Sequence, residues 1–302
     1  MTTSDDQAYA HLGAKAREAL ALPHAARIQM IRAGTWIALD HVKEVLERLE
    51  ELRTYPRVTR MPCLLLVGPP FSGKTSLLEH FRDEHPADLN PLAETTTCEV
   101  LMIEAPPKPD LSDFYSRILD ALMAPYKPTA PVHEKHSQVK RLFAQVGLKV
   151  LIVDEIHHLI AGSQNRQREF RNALKSLGNE TKVSIVAAGI EDAYTAFNAD
   201  AQMSSRFHPY ELPRWNPGKG LGTLLKTLER RTPLMNASEL HMPSLMSAIH
   251  ARAESNLGDI CDLVKEAAVK AIRTGDERIS LQLLDKLDWV PPTKRKTFRR
   301  GA

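Results

Sequence analysis

Cysteine is scarce in this chain and never paired. Cys63, Cys98 and Cys261 lie far apart with no Cys-x-x-Cys among them, which argues against a zinc ribbon or a dithiol redox motif. Buried thiols acting as small hydrophobes is the expectation instead. No run approaches the roughly 20 apolar residues needed to span a bilayer. The start, Met1-Thr2-Thr3-Ser4-Asp5-Asp6, is acidic and lacks the apolar stretch of a secretory signal, so a cytoplasmic protein is expected. Charge of one sign is also lacking: the net charge is +3, which by itself demands no nucleic-acid partner. There is no internal repeat and no low-complexity tract. What remains is an ordinary globular composition, 43% apolar and 25% charged. Its 302 residues suffice for one large α/β domain and a smaller helical one.

Residues 1 to about 60 carry no strand pattern. Leu39, Val42, Leu46, Leu49 and Leu52 fall at helical spacing, opposite a glutamate-rich face, and Thr54-Tyr55-Pro56 ends that helix because a residue before proline avoids the α region. From residue 61 the pattern changes. Cys63 to Val67, Glu99 to Ile103, Val150 to Val153 and Val183 to Ala188 are short apolar runs that read as strands buried on both faces. Helices are predicted between them, over Lys74 to Asp83, Leu111 to Ala124 (capped by Ser112 or Asp110) and Glu169 to Leu177 (with Gly178 as C-cap). Alternating strands and helices imply a doubly wound parallel sheet with helices on both faces. Beyond Pro213 the strands stop, and residues 220–290 read as helical. Proline-bearing loops over 105–109 and 125–131 are expected at the surface. The tail Lys294-Arg295-Lys296-Thr297-Phe298-Arg299-Arg300 holds five cations in seven residues.

The chemistry is concentrated at the end of the first strand. Gly68-Pro69-Pro70-Phe71-Ser72-Gly73-Lys74-Thr75 matches G-x-x-x-x-G-K-[ST], follows a predicted strand and opens a predicted helix, the context a P-loop requires. The glycines let the backbone turn tightly. The N–H groups through Ser76 then face phosphate oxygens at a helix N-terminus, Lys74 supplies a cation to the β- and γ-phosphates, and Thr75 offers a hydroxyl to Mg²⁺. The run Val150 to Val153 ends in Asp154-Glu155, 80 residues after Lys74. Asp154 would hold Mg²⁺ and Glu155 would orient and deprotonate the attacking water. ATP and Mg²⁺ are the implied cofactors. His157 and His158 follow at once; with no further carboxylate or cysteine at a ligand spacing, they read as packing or hydrogen-bonding residues.

The acidic pair, a fourth strand about 30 residues later and a helical lid suggest the AAA+ class of P-loop ATPases. The division is then an N-terminal helical segment (1–60), the P-loop domain (61–215), a small helical lid (216–290) and the basic tail (291–302). Such proteins share ATP between subunits, and Arg206 is the candidate arginine finger. At closer range, Asp154-Glu155-Ile156-His157-His158-Leu159, Gln167-Arg168-Glu169-Phe170, Leu177-Gly178-Asn179-Glu180, Asp200-Ala201-Gln202 before Arg206-Phe207, Leu212-Pro213-Arg214-Trp215, and the lead-in Pro56 to Pro62 resemble the TniB family of transposition ATPases. The resemblance covers roughly residues 25–275.

That resemblance, which extends to TnsC and MuB, implies an ATP-bound homo-oligomer, a filament or ring, on double-stranded target DNA of little sequence preference. It implies recruitment of a TniA-like DDE transposase, a possible TniQ-like targeting partner, and disassembly on hydrolysis. It further implies DNA contacts from the loops and helix after the second strand, here Lys108, Lys127, Thr129, Lys135, His136 and Lys140, which would neutralise phosphates without reading sequence. Two departures bear on rate: Ile190 stands where a polar sensor is usual, and Asn256 to Cys261 lacks the second sensor arginine. Both imply slow hydrolysis. A helicase loader of the same class is disfavoured by the few residues after 275, which leave no room for a winged helix. A protein-interaction switch that never meets DNA is the other alternative.

Overall fold

Each of these apolar runs becomes a strand. The structure, a computed structural model, describes residues 9–34, 36–88, 96–160, 163–198 and 200–295. Its elements begin with α1 (Ala14–Ala19), α2 (His24–Ala33), α3 (Asp40–Thr54), β1 (Cys63–Val67), α4 (Lys74–Glu84) and β2 (Val100–Glu104). There follow α5 (Leu111–Ala121), α6 (Val132–Gln145), β3 (Val150–Asp154), a 3-10 turn (Ile156–Ile160), α7 (Gln164–Thr181) and β4 (Ser184–Gly189). Then come α8 (Glu191–Asn198), α9 (Ala201–Ser204) and β5 (Phe207–Glu211). Only helices follow among the described residues: α10 (Lys219–Arg231), α11 (Pro243–Ala253), α12 (Leu257–Thr274), α13 (Leu281–Asp285) and α14 (Pro292–Arg295). Most of the basic tail, from Lys296 on, lies outside the described residues.

The sheet is parallel throughout, in the order β2-β3-β4-β1-β5. Parallel strands need crossover helices, and those helices cover both faces. Leu65, Val67, Leu151, Val153, Ile185 and Ala187 share one buried cluster with Phe114, Ile118, Phe143 and Phe170. Their neighbours on the opposite face, Leu64, Leu66, Ile152 and Val186, are equally buried, which accounts for continuous apolar runs in place of alternation. The parallel order also sends the C-terminal ends of β1, β3 and β4 to the same edge, where crevices for ligands form.

The sequence does not predict the fifth strand, because Pro209 interrupts it. β5 lies at the sheet edge against β1 alone, the one place where a missing N–H costs no ladder bond. Helix α7 starts at Gln164, five residues before the expected Glu169, and Gly178 is not its cap. Lys182 takes the left-handed C-cap position at φ 55°. Gly178 sits inside the helix against β4, where an added Cβ would meet Ile185 Cδ1 and the Val183 carbonyl at 3.5 Å, an ordinary contact distance. Asp110, not Ser112, caps α5, accepting from the Ser112 and Asp113 amides at 2.7 and 3.1 Å.

The chain forms two compact units. One is Asp40–Pro213; in the other, the described residues up to Leu39 join those from Arg214 onward. The segment 1–60 is therefore shared out, with α3 packing on α4, and α1 and α2 packing on α10 and α12. A buried ion pair ties the second unit together: Arg27 donates to both carboxylate oxygens of Glu277, at 2.9 and 2.5 Å, and to the Pro233 carbonyl. Sequence spacing gives no hint of a pairing across 250 residues. No helix among the described residues is long and apolar enough to cross a membrane.

Candidate nucleotide-binding site

β1 hands directly into the phosphate loop. Gly68 is required by space: an added Cβ would come within 2.8 Å of Ser72 Oγ and 3.2 Å of Leu212 Cβ. Its amide donates to the Gly189 carbonyl at the end of β4. Gly73 enters α4 at φ 89°, a left-handed geometry that glycine adopts freely. The first amides of α4, those of Lys74, Thr75 and Ser76, have no carbonyl a turn earlier to bond, so they face the loop as phosphate donors. Phe71 also has a positive φ, 59°, and is 73% exposed. A bulky residue there is strained by roughly 1–2 kcal/mol.

Lys74 is almost fully buried. Its ammonium donates to the Gly68 and Pro69 carbonyls, both at 2.9 Å, and lies 3.4 Å from Ser72 Oγ. Burial lowers its pKa, while Glu155 and Asp154 act in the opposite direction. Three neutral oxygens inside the loop are what phosphate oxygens would replace. The Thr75 hydroxyl donates to Asp154 Oδ2 at 2.6 Å, joining the loop to the end of β3. A hydroxyl and a carboxylate in contact are hard oxygen donors of the kind that hold Mg²⁺ beside a nucleotide, so the residues present fit that ion. The second oxygen of Asp154 accepts the Glu155 amide at 2.8 Å, which fixes the carboxylate plane.

Glu155 leaves the strand at φ 53°, turning the chain sharply into the 3-10 segment. Glu155 lines a cavity of about 400 Å³ together with Thr75, Asp154, Glu79, Arg82 and Glu104. Glu104, which no motif marks in the sequence, sits beside Asp154 in the β2–β3 register. Ile190 follows β4 as its sequence position requires, an apolar side chain where a polar sensor is usual. Gly189 before it is sterically fixed: an added Cβ would meet Ile156 Cγ2 at 2.9 Å and Ala193 Cβ at 3.0 Å.

Arg206 is not near this cavity. It lies between α9 and β5, and its carbonyl accepts the amide of Cys63 at the start of β1, whereas the phosphate loop leaves the end of that strand. Five residues of strand separate the two by roughly 17 Å, beyond the reach of an arginine side chain. Its mount is firm. Asp200 caps α9 through the Gln202 and Met203 amides and lies 3.6 Å from both Arg171 and Lys175, and Met203 is fully buried.

The lysines expected to contact phosphates divide. Lys108, Lys127 and Thr129 are exposed in loops. Lys135 is buried, at 2% exposure. It donates to Ser112 Oγ, Ser116 Oγ and the Pro128 carbonyl at 2.9, 2.9 and 3.0 Å, stapling α6 to α5 and the preceding loop. It cannot reach a DNA backbone. The signal is in the sequence: Lys135, Val139 and Phe143 share one helical face. Lys140 is paired with Glu180 at 2.6 Å, and His136 stacks on Tyr115. Lys135→Ala is therefore expected to lower stability by about 1–3 kcal/mol, seen as a lower urea midpoint at unchanged slope, with no change in the salt dependence of any DNA binding.

Residues 27–217 match the family model described as "Bacterial TniB protein". No curated protein sequence matches the chain. Among solved structures, the Aeropyrum pernix ORC2 protein is similar at TM-score 0.60 and 17% identity, over 80% of this chain and 65% of that one. Cdc6p of Pyrobaculum aerophilum is similar at TM-score 0.58 and 16% identity, over 82% and 66%. The Aeropyrum pernix ORC1 protein, solved in complex with DNA, is similar at TM-score 0.56 and 17% identity, over 82% and 64%. The chain thus spans a little less than two thirds of each solved chain, and at these identities the likeness is one of fold.

Proposed function

The chain belongs to the TniB family and is a nucleotide-binding P-loop ATPase of AAA+ fold, and on that premise we propose that it assembles on double-stranded target DNA with ATP·Mg²⁺, recruits or activates a DDE transposase, and releases the DNA when ATP is hydrolysed. The contact of Thr75 with Asp154 beside Lys74 and Glu155 carries the ATP half of this reading. It joins the helix that opens with Lys74 to the end of β3, and Thr75, Asp154 and Glu155 line one cavity. Bound Mg²⁺ would offset charge on the phosphates. Lys74 exchanges its loop carbonyls for phosphate oxygens, Thr75 and Asp154 orient the γ-phosphate end, and Glu155 takes the proton of the attacking water.

The distance between Arg206 and its own phosphate loop supports assembly, since an arginine there can serve only a neighbouring copy's nucleotide. Ile190 cannot hydrogen-bond the attacking water, which favours a long-lived ATP state and partner-stimulated turnover. Basal hydrolysis is expected well below the roughly 10 s⁻¹ median of enzymes. A TniA-like transposase and a TniQ-like protein are the partners the family suggests. The DNA complex of a protein of like fold supports the DNA half, as do the exposed Lys108 and Lys127.

The test is duplex binding by fluorescence anisotropy with a non-hydrolysable ATP analogue. Lys108→Ala and Lys127→Ala should weaken binding evenly across unrelated sequences, and the salt slope should shrink by about 0.9 for every phosphate that is no longer neutralised. Weakening confined to one sequence would contradict recognition of the backbone alone. No association at low salt would leave a nucleotide-dependent protein-interaction switch.

A further inference from the structure

The turn after β3 gathers three metal-ligating side chains. Ligand atoms of Glu155, His157 and His158 lie within 4.8 Å of one another. The His158 amide donates to the Glu155 carbonyl at 3.0 Å in the 3-10 turn, a geometry that sets side chains three residues apart over one another. Glu155 enters that turn at φ 53°, and its carboxylate comes to 3.0 Å from His157 Nδ1.

The three groups do not form a hydrogen-bonded cluster. His157 Nδ1 lies 3.0 Å from a Glu155 carboxylate oxygen, yet the pair is not aligned as a hydrogen bond. The Nδ1 atoms of both His157 and His158 are buried and have no hydrogen-bond partner, an arrangement that costs on the order of 1–3 kcal/mol per group. The rings lie 4.5 Å apart at 53°, so they do not stack face to face. Two unsatisfied nitrogens, one of them 3.0 Å from a carboxylate oxygen, are what a cation held by the three groups would relieve. In a tetrahedral site with bonds near 2.0 Å, neighbouring ligand atoms sit about 3.3 Å apart. The His157–Glu155 separation already matches, and small rotations of the remaining side chain would close the rest.

We infer that Glu155, His157 and His158 form a site for a borderline transition-metal ion, Zn²⁺ by chemical preference, separate from the oxygen donors Thr75 and Asp154. Two imidazoles and one carboxylate select Zn²⁺ or Co²⁺ over Mg²⁺, which prefers oxygen and keeps its waters. Water completes the fourth position. The ion engages the carboxylate that would otherwise accept a proton from the attacking water, so its binding arrests hydrolysis with nucleotide still held. The arrest, though not the metal binding, rests on the role proposed for Glu155.

The experiment titrates chelator-stripped full chain with Co²⁺ in millimolar Mg²⁺, which keeps the oxygen site occupied, and follows the visible absorption of four-coordinate Co²⁺. One equivalent should bind and be displaced by Zn²⁺. In a His157→Gln/His158→Gln double variant, affinity should fall by more than the roughly 10–100-fold that loss of an outer-shell partner costs. Unchanged binding of a fluorescent ATP analogue by that variant establishes that it is folded; Glu155→Gln, which removes the carboxylate ligand alone, should also weaken Co²⁺ binding. Zn²⁺ should then abolish hydrolysis by the unmodified chain and spare that of the double variant. Absence of the four-coordinate spectrum, or equal affinity in the double variant, overturns the site. A spectrum that depends on both histidines, with hydrolysis indifferent to Zn²⁺, upholds the site and removes Glu155 as the base.

Discussion

Glu155→Gln is expected to bind ATP as tightly as the unmodified chain and to hydrolyse it roughly 10²–10⁴-fold more slowly. Glutamine keeps the length and shape of the side chain and tolerates the same backbone, so the turn at φ 53° should survive. What it loses is the ability to accept a proton beside the cavity it lines with Thr75 and Asp154. Lys74→Ala should behave in the opposite way. Its ammonium donates to the Gly68 and Pro69 carbonyls of the loop, and without it the cradle loses the charge that this lysine sets against a triphosphate. Nucleotide binding should then be lost, and hydrolysis with it. Fluorescent-nucleotide titration and single-turnover phosphate release separate the two. Equal turnover in Glu155→Gln would remove this residue as the base; retained binding in Lys74→Ala would move the site elsewhere.

Arg206→Ala is expected to leave nucleotide affinity intact and to lower hydrolysis in the assembled state by roughly 10³-fold or more, the usual worth of an arginine finger supplied by a neighbour. The decisive version mixes two inactive chains. An Arg206→Ala subunit retains a working phosphate loop, and a Lys74→Ala subunit retains a working arginine. Where the two meet in the right order, one complete site re-forms, and activity should return on mixing. An arginine acting on its own subunit's nucleotide could not give that result, and the length of β1 already places it out of reach. Asp200→Ala should shift activity in the same direction by less, because it frees the cap of α9 without removing the guanidinium. Failure of the mixture to recover, with the two chains shown to co-assemble, would deny the finger role.

The phosphate loop and the Asp154-Glu155 pair are legible in the sequence because their signals are local: a buried strand, a glycine turn and a helix start adjoin one another in the chain. Strands β1 to β4 are legible for the same reason. What escapes is governed by tertiary position. Pro209 hides β5, since only an edge strand tolerates it, and edge status is a property of the sheet order. Gly178 resembles a helix end because glycine often is one, but the helix runs on to Thr181 and Lys182 caps it. Lys135 has the residue type of a surface cation, although its spacing from Val139 and Phe143 marks the buried face of α6. His157 and His158 lack a carboxylate partner only while Glu155 is treated as part of an extended strand. Arg27 and Glu277, distant in the chain, tie the helices at its two ends in one unit.

On the proposed function, ATP licenses assembly on DNA through Lys74. The most direct measurement of that dependence is co-sedimentation of the chain with duplexes of unrelated sequence, in a non-hydrolysable ATP analogue and in ADP, with negative-stain microscopy of the pellet. Regular assemblies are expected on every duplex with the analogue, few with ADP, and none with Lys74→Ala. Nucleotide binding with no DNA in the pellet at low salt would contradict this, as would pelleting that is the same in both nucleotides and in the variant.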